Sequence, residues 1–140
     1  MAKQIKLIVV TPERLVLDEM VEDVAIPGLN GELGVLPEHT LLLSRLDTGV
    51  LTYHQGEQKW MLALSGGYVE VTAEKVTVLA NEAEKPEEID IERARLAREH
   101  ALKELKAGET EIDFVRAQAK LQKAVIQLQV AGKRQEREFE

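Results

Sequence analysis

"KVTVLANEAEKPEEIDIERARLAREH", residues 75 to 100, contains the change of period that decides the architecture. Its first six residues alternate, with Val76 and Val78 on one side of an extended chain, the two-residue repeat of a half-buried strand. Beyond Pro86 the alternation stops. No glycine or proline occurs from Glu87 to Ala107, the residues are strong helix formers, and Ile91, Ala94, Ala101 and Leu105 form an alanine-rich helical stripe. The sequence therefore predicts a strand-rich part over residues 1–85 and a helical part over residues 86–140.

Upstream of the switch the chain reads as short strands separated by turns. Ile5, Leu7 and Val9 alternate in "KQIKLIVV", and Trp60, Leu62 and Leu64 alternate in "KWMLALSGGYVEV" before Val69 and Val71. Pro12, "PGLNG", Pro37, "HQGEQ" and "TAEK" supply the punctuation. Such spacing indicates an antiparallel sandwich or barrel. Gly66–Gly67 inside a strand pattern marks a bulge or a close backbone approach. A phosphate loop is excluded there, because no GxxxxGK[ST] follows and the next element is a strand.

Downstream, Gly108 interrupts the helical pattern, and Thr110 with Asp113 resembles a capping box. Phe114, Ala117, Leu121, Ala124, Leu128 and Ala131 then repeat at alternating spacings of three and four, a heptad seam, and Gly132 is the expected stop. Two helices joined by so short a link form an antiparallel hairpin.

The composition narrows the function. A net charge of −7 argues against nucleic acid as a partner. With no cysteine there is no disulfide scaffold, thiolate metal site or cysteine nucleophile. The start of the chain lacks the apolar h-region of a signal peptide, and no run reaches the ~18 apolar residues of a membrane span, so a soluble intracellular protein is expected. His39, His54 and His100 are scattered, with no clustered metal-ligand spacing. A binding or coupling module is favoured over an enzyme. Residues 114–135 contain no acid but carry Arg116, Lys120, Lys123, Lys133 and Arg134. That stretch either faces an acidic partner or is a solvated helix face balanced by glutamates of its neighbour.

One motif occurs twice. Ile-Asp-x-x-Arg-Ala begins at Ile89 and again at Ile112. Asp90 is placed to cap the first helix and Asp113 to sit in the first turn of the second, with the Ile and Ala of each copy on the inner face. Arginine is left unexplained, since a cation meets the wrong end of the helix dipole there. Arg93 is either paired with Glu88 or Glu92, or held for an anionic ligand.

"VVTPERLVLDEMVEDVAIPGLNGELGVLPEHTLLL" (9–43) and "LALSGGYVEVTAEKVTVLANEAE" (62–84), ahead of a helical hairpin, closely resemble the epsilon subunit of bacterial F-type ATP synthase. The resemblance covers nearly the whole chain. It implies a β-sandwich of about ten antiparallel strands followed by a C-terminal α-helical hairpin. The implied role is a non-catalytic rotor subunit of a proton-translocating synthase, peripheral at the cytoplasmic face of the bacterial cell membrane. In the family the sandwich binds the gamma subunit and sits on the ring of c subunits. Gly31 and Glu32 match the part that meets the ring, and His39 and Thr40 the face turned to gamma. The hairpin lies folded or extends into the catalytic head of alpha and beta subunits, where it blocks ATP hydrolysis. Lys120, Lys123, Lys133 and Arg134 are the basic residues that would meet an acidic segment of beta.

Family members from bacilli bind ATP at the first repeat copy, which favours the folded hairpin. Ile89, Asp90, Arg93 and Ala94 match that motif, Glu84 matches an upstream ligand-contacting acid, and Lys123 stands at an expected arginine position. The resemblance thus implies ATP, alone or with Mg, as a regulatory ligand, with no catalytic cofactor. His100 and Gln127 depart from the pattern, standing where strong binders have phosphate-facing arginines. Two rivals remain: a stand-alone nucleotide-sensing adaptor whose basic hairpin grips another acidic protein, and a small enzyme with its site in the sandwich.

Overall fold

A computed structural model of the chain describes residues 3–39, 41–108 and 110–138, with side chains to Gly132. It divides into two compact units, residues 1–84 and 85–140.

In the first unit eight strands run in chain order: β1 (Ile5–Val10), β2 (Leu15–Val21), β3 (Asp23–Gly28), β4 (Gly31–Val35), β5 (Leu42–Leu46), β6 (Gly49–Gln55), β7 (Gln58–Val71) and β8 (Lys75–Glu84). They form one hydrogen-bonded sheet in the order β2-β1-β8-β7-β5-β3-β4, with β6 bridging β3 and β7. Ile5, Leu7 and Val9 of β1 and Val76 and Val78 of β8 are fully buried, as the alternation requires. Leu62 and Leu64, then Val69 and Val71, complete the same core with Ile26 and Leu51.

The inward positions of β7 change from even to odd numbers across Gly66–Gly67, and this is where the sheet turns its corner. Residues 58–64 of β7 pair with β6, and residues 67–71 pair with β5. Both glycines have positive φ, 62° and 119°. A Cβ on Gly67 would lie 2.1 Å from the Leu79 carbonyl oxygen, so only a hydrogen fits between β7 and β8 there. Ladder pairing with β8 skips Gly66 and resumes in the same register, Ser65 with Glu82 and Gly67 with Ala80. The glycine pair is therefore a close approach and not a register-shifting bulge. Among the described residues there are eight strands instead of about ten, because β7 and β8 each pass the corner as single elements. One pairing is not antiparallel: β1 lies parallel to β8, Lys6 opposite Lys75 through Val10 opposite Leu79.

The second unit opens with a 3-10 turn at Pro86–Glu88 that packs against the second helix. Helix α1 (Ile91–Ala107) and helix α2 (Glu111–Glu138) then form the hairpin. Its seam is lined with alanine: Ala94 and Ala101 on α1, and Ala117, Ala124 and Ala131 on α2, are all buried. Small side chains let the two backbones approach closely. Gly132 does not stop α2, which continues to Glu138. A lone glycine costs a helix only about 1 kcal/mol, which good helix formers on either side offset. Phe114, expected in the seam, is exposed, so the packed seam begins one turn later at Ala117.

Because the two units have separate residues and the sandwich core contains none from beyond Ala83, a fragment of residues 1–85 is expected to fold alone. A cooperative thermal transition, followed by near-ultraviolet circular dichroism, checks this. A fragment without one would show that the sandwich depends on the hairpin.

Candidate functional site

The two repeat copies occupy different frames relative to their helix starts. Asp90 is the N-cap of α1, its Oδ1 accepting the Arg93 backbone N–H at 3.1 Å. Ile89, one residue before the cap, is 4% exposed, and Ala94 is buried. In the second copy the cap is Thr110, whose Oγ1 accepts the Asp113 N–H at 3.1 Å. Asp113 thus lies three residues inside the helix. Ile112 is carried into the first turn, where it is 65% exposed, so the expectation that both isoleucines face inward fails for Ile112. The reason is geometric: a residue before the cap points back along the chain entry, whereas the same residue in the first turn points where the helix phase sends it. Ala117 is buried as expected.

Arg93 is exposed, and neither acid offered for it is its partner. The Glu92 carboxylate takes Arg95 at 3.3 Å. The Glu88 Oε1 accepts the Lys85 N–H at 2.9 Å. Among the described residues no hydrogen bond or ion pair engages the Arg93 guanidinium. The first turn of α1 therefore holds a cation next to the cap carboxylate, unbalanced by α1's own acids.

The other residues assigned to a nucleotide are placed as follows. Glu84 ends β8 in the first unit and is half-buried. Lys123 and Gln127 lie one turn apart on α2, both half-buried and both engaged in contacts. His100 is used locally, with Nδ1 3.0 Å from Glu104 Oε1. Lys120 reaches Glu104 Oε2 at 3.6 Å, so at this residue the basic face of α2 is balanced by a glutamate of its neighbour. Lys133 and Arg134 lie within α2, but their side chains fall outside the described residues.

On the sandwich, Gly31 and Glu32 sit exposed at the β3–β4 hairpin, and the Glu32 carboxylate has no partner among the described residues. His39 is half-buried and engaged, and Thr40 lies outside the described residues. Just before them Glu38 adopts φ 67°, a strained value for a side-chain-bearing residue. Its N–H donates to the Ala73 carbonyl at 3.0 Å, and its carboxylate accepts from Lys3 Nζ at 2.9 Å. Both contacts anchor this bend.

A further surface was not read from the sequence. Across the outer side of the sheet, Leu15, Val10, Leu79, Tyr68 and Arg45 stand side by side on β2, β1, β8, β7 and β5. Ile8, Thr77, Glu70 and Leu43 make the adjacent row. Leu79 is 52% exposed, Tyr68 51% and Leu43 72%. Side chains of this size grouped on one face mark an interaction surface, whereas scattered ones do not. The signal was present: Ile8, Val10, Tyr68 and Leu79 occupy the outward phase of strands whose inward phase is already apolar.

The geometry defines a two-part docking protein: a sandwich with one apolar outer face, followed by a capped, alanine-seamed helical hairpin. Residues 4–86 match the family model for the beta-sandwich domain of the ATP synthase delta/epsilon chain. Residues 87–132 match the model for its long alpha-helix domain. The chain belongs to the ATP synthase delta/epsilon family. It is 50% identical over 133 residues to the ATP synthase epsilon chain of Syntrophobacter fumaroxidans, covering 95% of this chain and 99% of that one. It is 46% identical over 132 residues to the epsilon chain of Nitratidesulfovibrio vulgaris strain DP4, covering 94% and 98%. Among solved structures it is similar to a chain of the Euglena gracilis mitochondrial ATP synthase OSCP/F1/c-ring assembly, with TM-score 0.78 and 28% identity over 91% of this chain and 81% of that one. A chain of the Tetrahymena thermophila mitochondrial central stalk and c-ring shares the fold, with TM-score 0.58 and 13% identity over 92% and 97%.

Proposed function

We propose that the chain is a non-catalytic rotor subunit of a bacterial F-type ATP synthase, joining gamma to the c-ring through its sandwich and restraining ATP hydrolysis through its hairpin. The observation that carries this reading is the outer face built on Leu79, Tyr68 and Leu43. A subunit that rotates with a shaft needs a persistent interface, and an apolar strip across four strands with a cation on a fifth supplies one. Gamma is the occupant in this reading, which the similarity to ATP synthase epsilon chains and to a chain of an F1/c-ring assembly supports. The exposed, unpartnered Glu32 at the opposite kind of surface, a polar hairpin, suits the polar loops of the c-ring. No described helix is long and apolar enough to cross a membrane. In this reading the chain is held peripherally at the cytoplasmic face, through gamma and the ring.

The hairpin is the regulatory part of the proposal. ATP binds at the start of α1, where Arg93 is available to phosphate and Asp90 to the adenine edge, and it favours the folded hairpin. When extended, the basic residues of α2, Lys120, Lys123, Lys133 and Arg134, meet an acidic surface of a beta subunit. Lys120 must then give up Glu104, an exposed contact worth little.

Leu79→Glu and Tyr68→Glu test the gamma interface. Each is expected to leave the sandwich folded, since both side chains are more than half exposed. Each should weaken binding to purified gamma by about 2 kcal/mol or more, roughly thirtyfold. Calorimetric titration gives the constants, and unchanged affinity in both variants would remove this face from the interface. The 1–85 fragment should bind gamma as the full chain does yet fail to inhibit hydrolysis by the reconstituted head. Inhibition by the fragment would take that role from the hairpin.

A further inference from the structure

The chain has two asparagines, both exposed, and they differ in the residue that follows and in how the backbone around them is paired. Asn81 lies within β8, is followed by Glu82, and has its carboxamide nitrogen 2.9 Å from where a Cβ on Gly66 would be. Asn30 is followed by Gly31 at the tip of the β3–β4 hairpin. Gly28 and Gly31 pair across the strands, so Leu29 and Asn30 alone make the turn. Asn30 and Gly31 are both exposed. Gly31 has φ 122°, and nothing lies within 4 Å of the place a Cβ would take.

We propose that Asn30–Gly31 is a site of spontaneous covalent modification, at which the folded chain converts to aspartate and isoaspartate through a cyclic imide. The backbone nitrogen of Gly31, having lost its proton, attacks Cγ of Asn30. The new N–C bond closes a five-membered ring, and the side-chain amide leaves as ammonia after taking up a proton. Water then opens the imide. Cleavage of the bond from nitrogen to Cγ gives aspartate, and cleavage of the bond to the main-chain carbonyl gives isoaspartate, with the chain rerouted through Cγ. No oxidant, reductant or enzyme is needed. Glycine is the residue that permits this, since any Cβ on the following residue crowds the approach. The Gly28–Gly31 pair is the last of its ladder, and opening such a terminal pair costs little free energy. Asn81, though exposed, lacks the other two advantages: Glu82 carries a side chain, and residues on both sides of Asn81 pair with β7.

Either product adds a negative charge two residues from Glu32. Isoaspartate also inserts one extra backbone carbon into a two-residue turn whose register depends on its length. If the β3–β4 hairpin faces the c-ring, which rests on the function proposed above, the modification alters that contact as the protein ages. The modification itself does not depend on that reading.

The experiment incubates the full-length chain at mildly alkaline pH, below its melting temperature, and maps its peptides by mass spectrometry over time. Isoaspartate is counted by methyl transfer from S-adenosylmethionine with protein isoaspartyl methyltransferase. The peptide carrying Asn30 is expected to convert, faster at higher pH, while Asn81 stays an amide. Asn30→Gln, whose longer side chain cannot close a five-membered ring, should abolish the methyl-accepting signal. Survival of Asn30 in the folded chain while urea-unfolded chain converts would overturn the proposal, as would equal conversion at Asn81 or an undiminished signal in Asn30→Gln. Binding of the aged chain to isolated c-ring is measured separately, so a failure there touches only the reading of the hairpin's partner.

Discussion

Gly67→Ala is expected to destabilise the sandwich by about 3–5 kcal/mol, the sum of an overpacking cost and of forcing a Cβ into a disfavoured backbone region. The added methyl would sit 2.1 Å from the Leu79 carbonyl oxygen and 2.8 Å from Ala80 Cα, and both are backbone atoms of a paired strand. Neither can swing aside as a side chain would. The corner of β7 and β8 would have to open, exposing the core around Val69 and Val78. Since a domain holds only about 5–15 kcal/mol in total, this is a large share of it. Trp60, the only tryptophan of the chain, packs against this core and reports its unfolding in urea by fluorescence. Gly34→Ala is the control: nothing lies within 4 Å of its Cβ position, and the expected change is within about 0.5 kcal/mol. Equal effects at the two glycines would show that the sheet bends elsewhere.

Arg93→Ala should weaken ATP binding by about 1.5–3 kcal/mol, roughly ten- to a hundredfold, while leaving the stability of the ligand-free protein unchanged. The separation follows from the geometry, because among the described residues the guanidinium has no partner to lose. Asp90→Ala should weaken binding by a similar factor but also cost ~1 kcal/mol without ligand, since Asp90 Oδ1 caps α1. Saturating ATP should raise the melting temperature of the wild type, as any ligand specific to the folded state does. Arg116→Ala and Asp113→Ala, in the second copy, should preserve most of the ATP effect. Calorimetry on the four variants decides it. No heat with the wild type, or equal losses from both copies, would leave the repeat as two helix starts.

Much of the architecture could be read from periods. The strand alternation ending before Pro86 and the alanine stripe after it located both halves, and Gly66–Gly67 announced the close contact at the corner. Other features were hidden because they depend on partners distant in sequence. That β1 lies parallel to β8 follows from the path of the whole sheet, and no local signal carries it. The outer apolar face is visible only once registers align Leu15, Val10, Leu79 and Tyr68 across four strands. Gly132 misled because a weak local propensity yields to the helix around it. The second copy misled only in its isoleucine: Asp113 sits in the first turn behind the Thr110 cap as the sequence indicates, but the helix phase there turns Ile112 outward. For Arg93 the sequence offered Glu88, Glu92 or an anionic ligand. It could not say that Glu88 and Glu92 are occupied elsewhere.

The parallel ladder between β1 and β8 also sets an order of events in time. During synthesis β1 emerges first, and β2 follows at once to cover one of its edges. Its other edge waits until residues 75–79 have been made, so the sheet cannot finish until almost the entire sandwich has left the ribosome. Distant pairings of this kind slow folding, whereas the neighbouring helices of a hairpin meet quickly. On refolding, the helical signal of residues 91–138 should thus recover before the fluorescence of Trp60. In the cell residues 91–138 are made after all eight strands, so the fast-forming hairpin emerges when the slower sandwich already has every strand it needs.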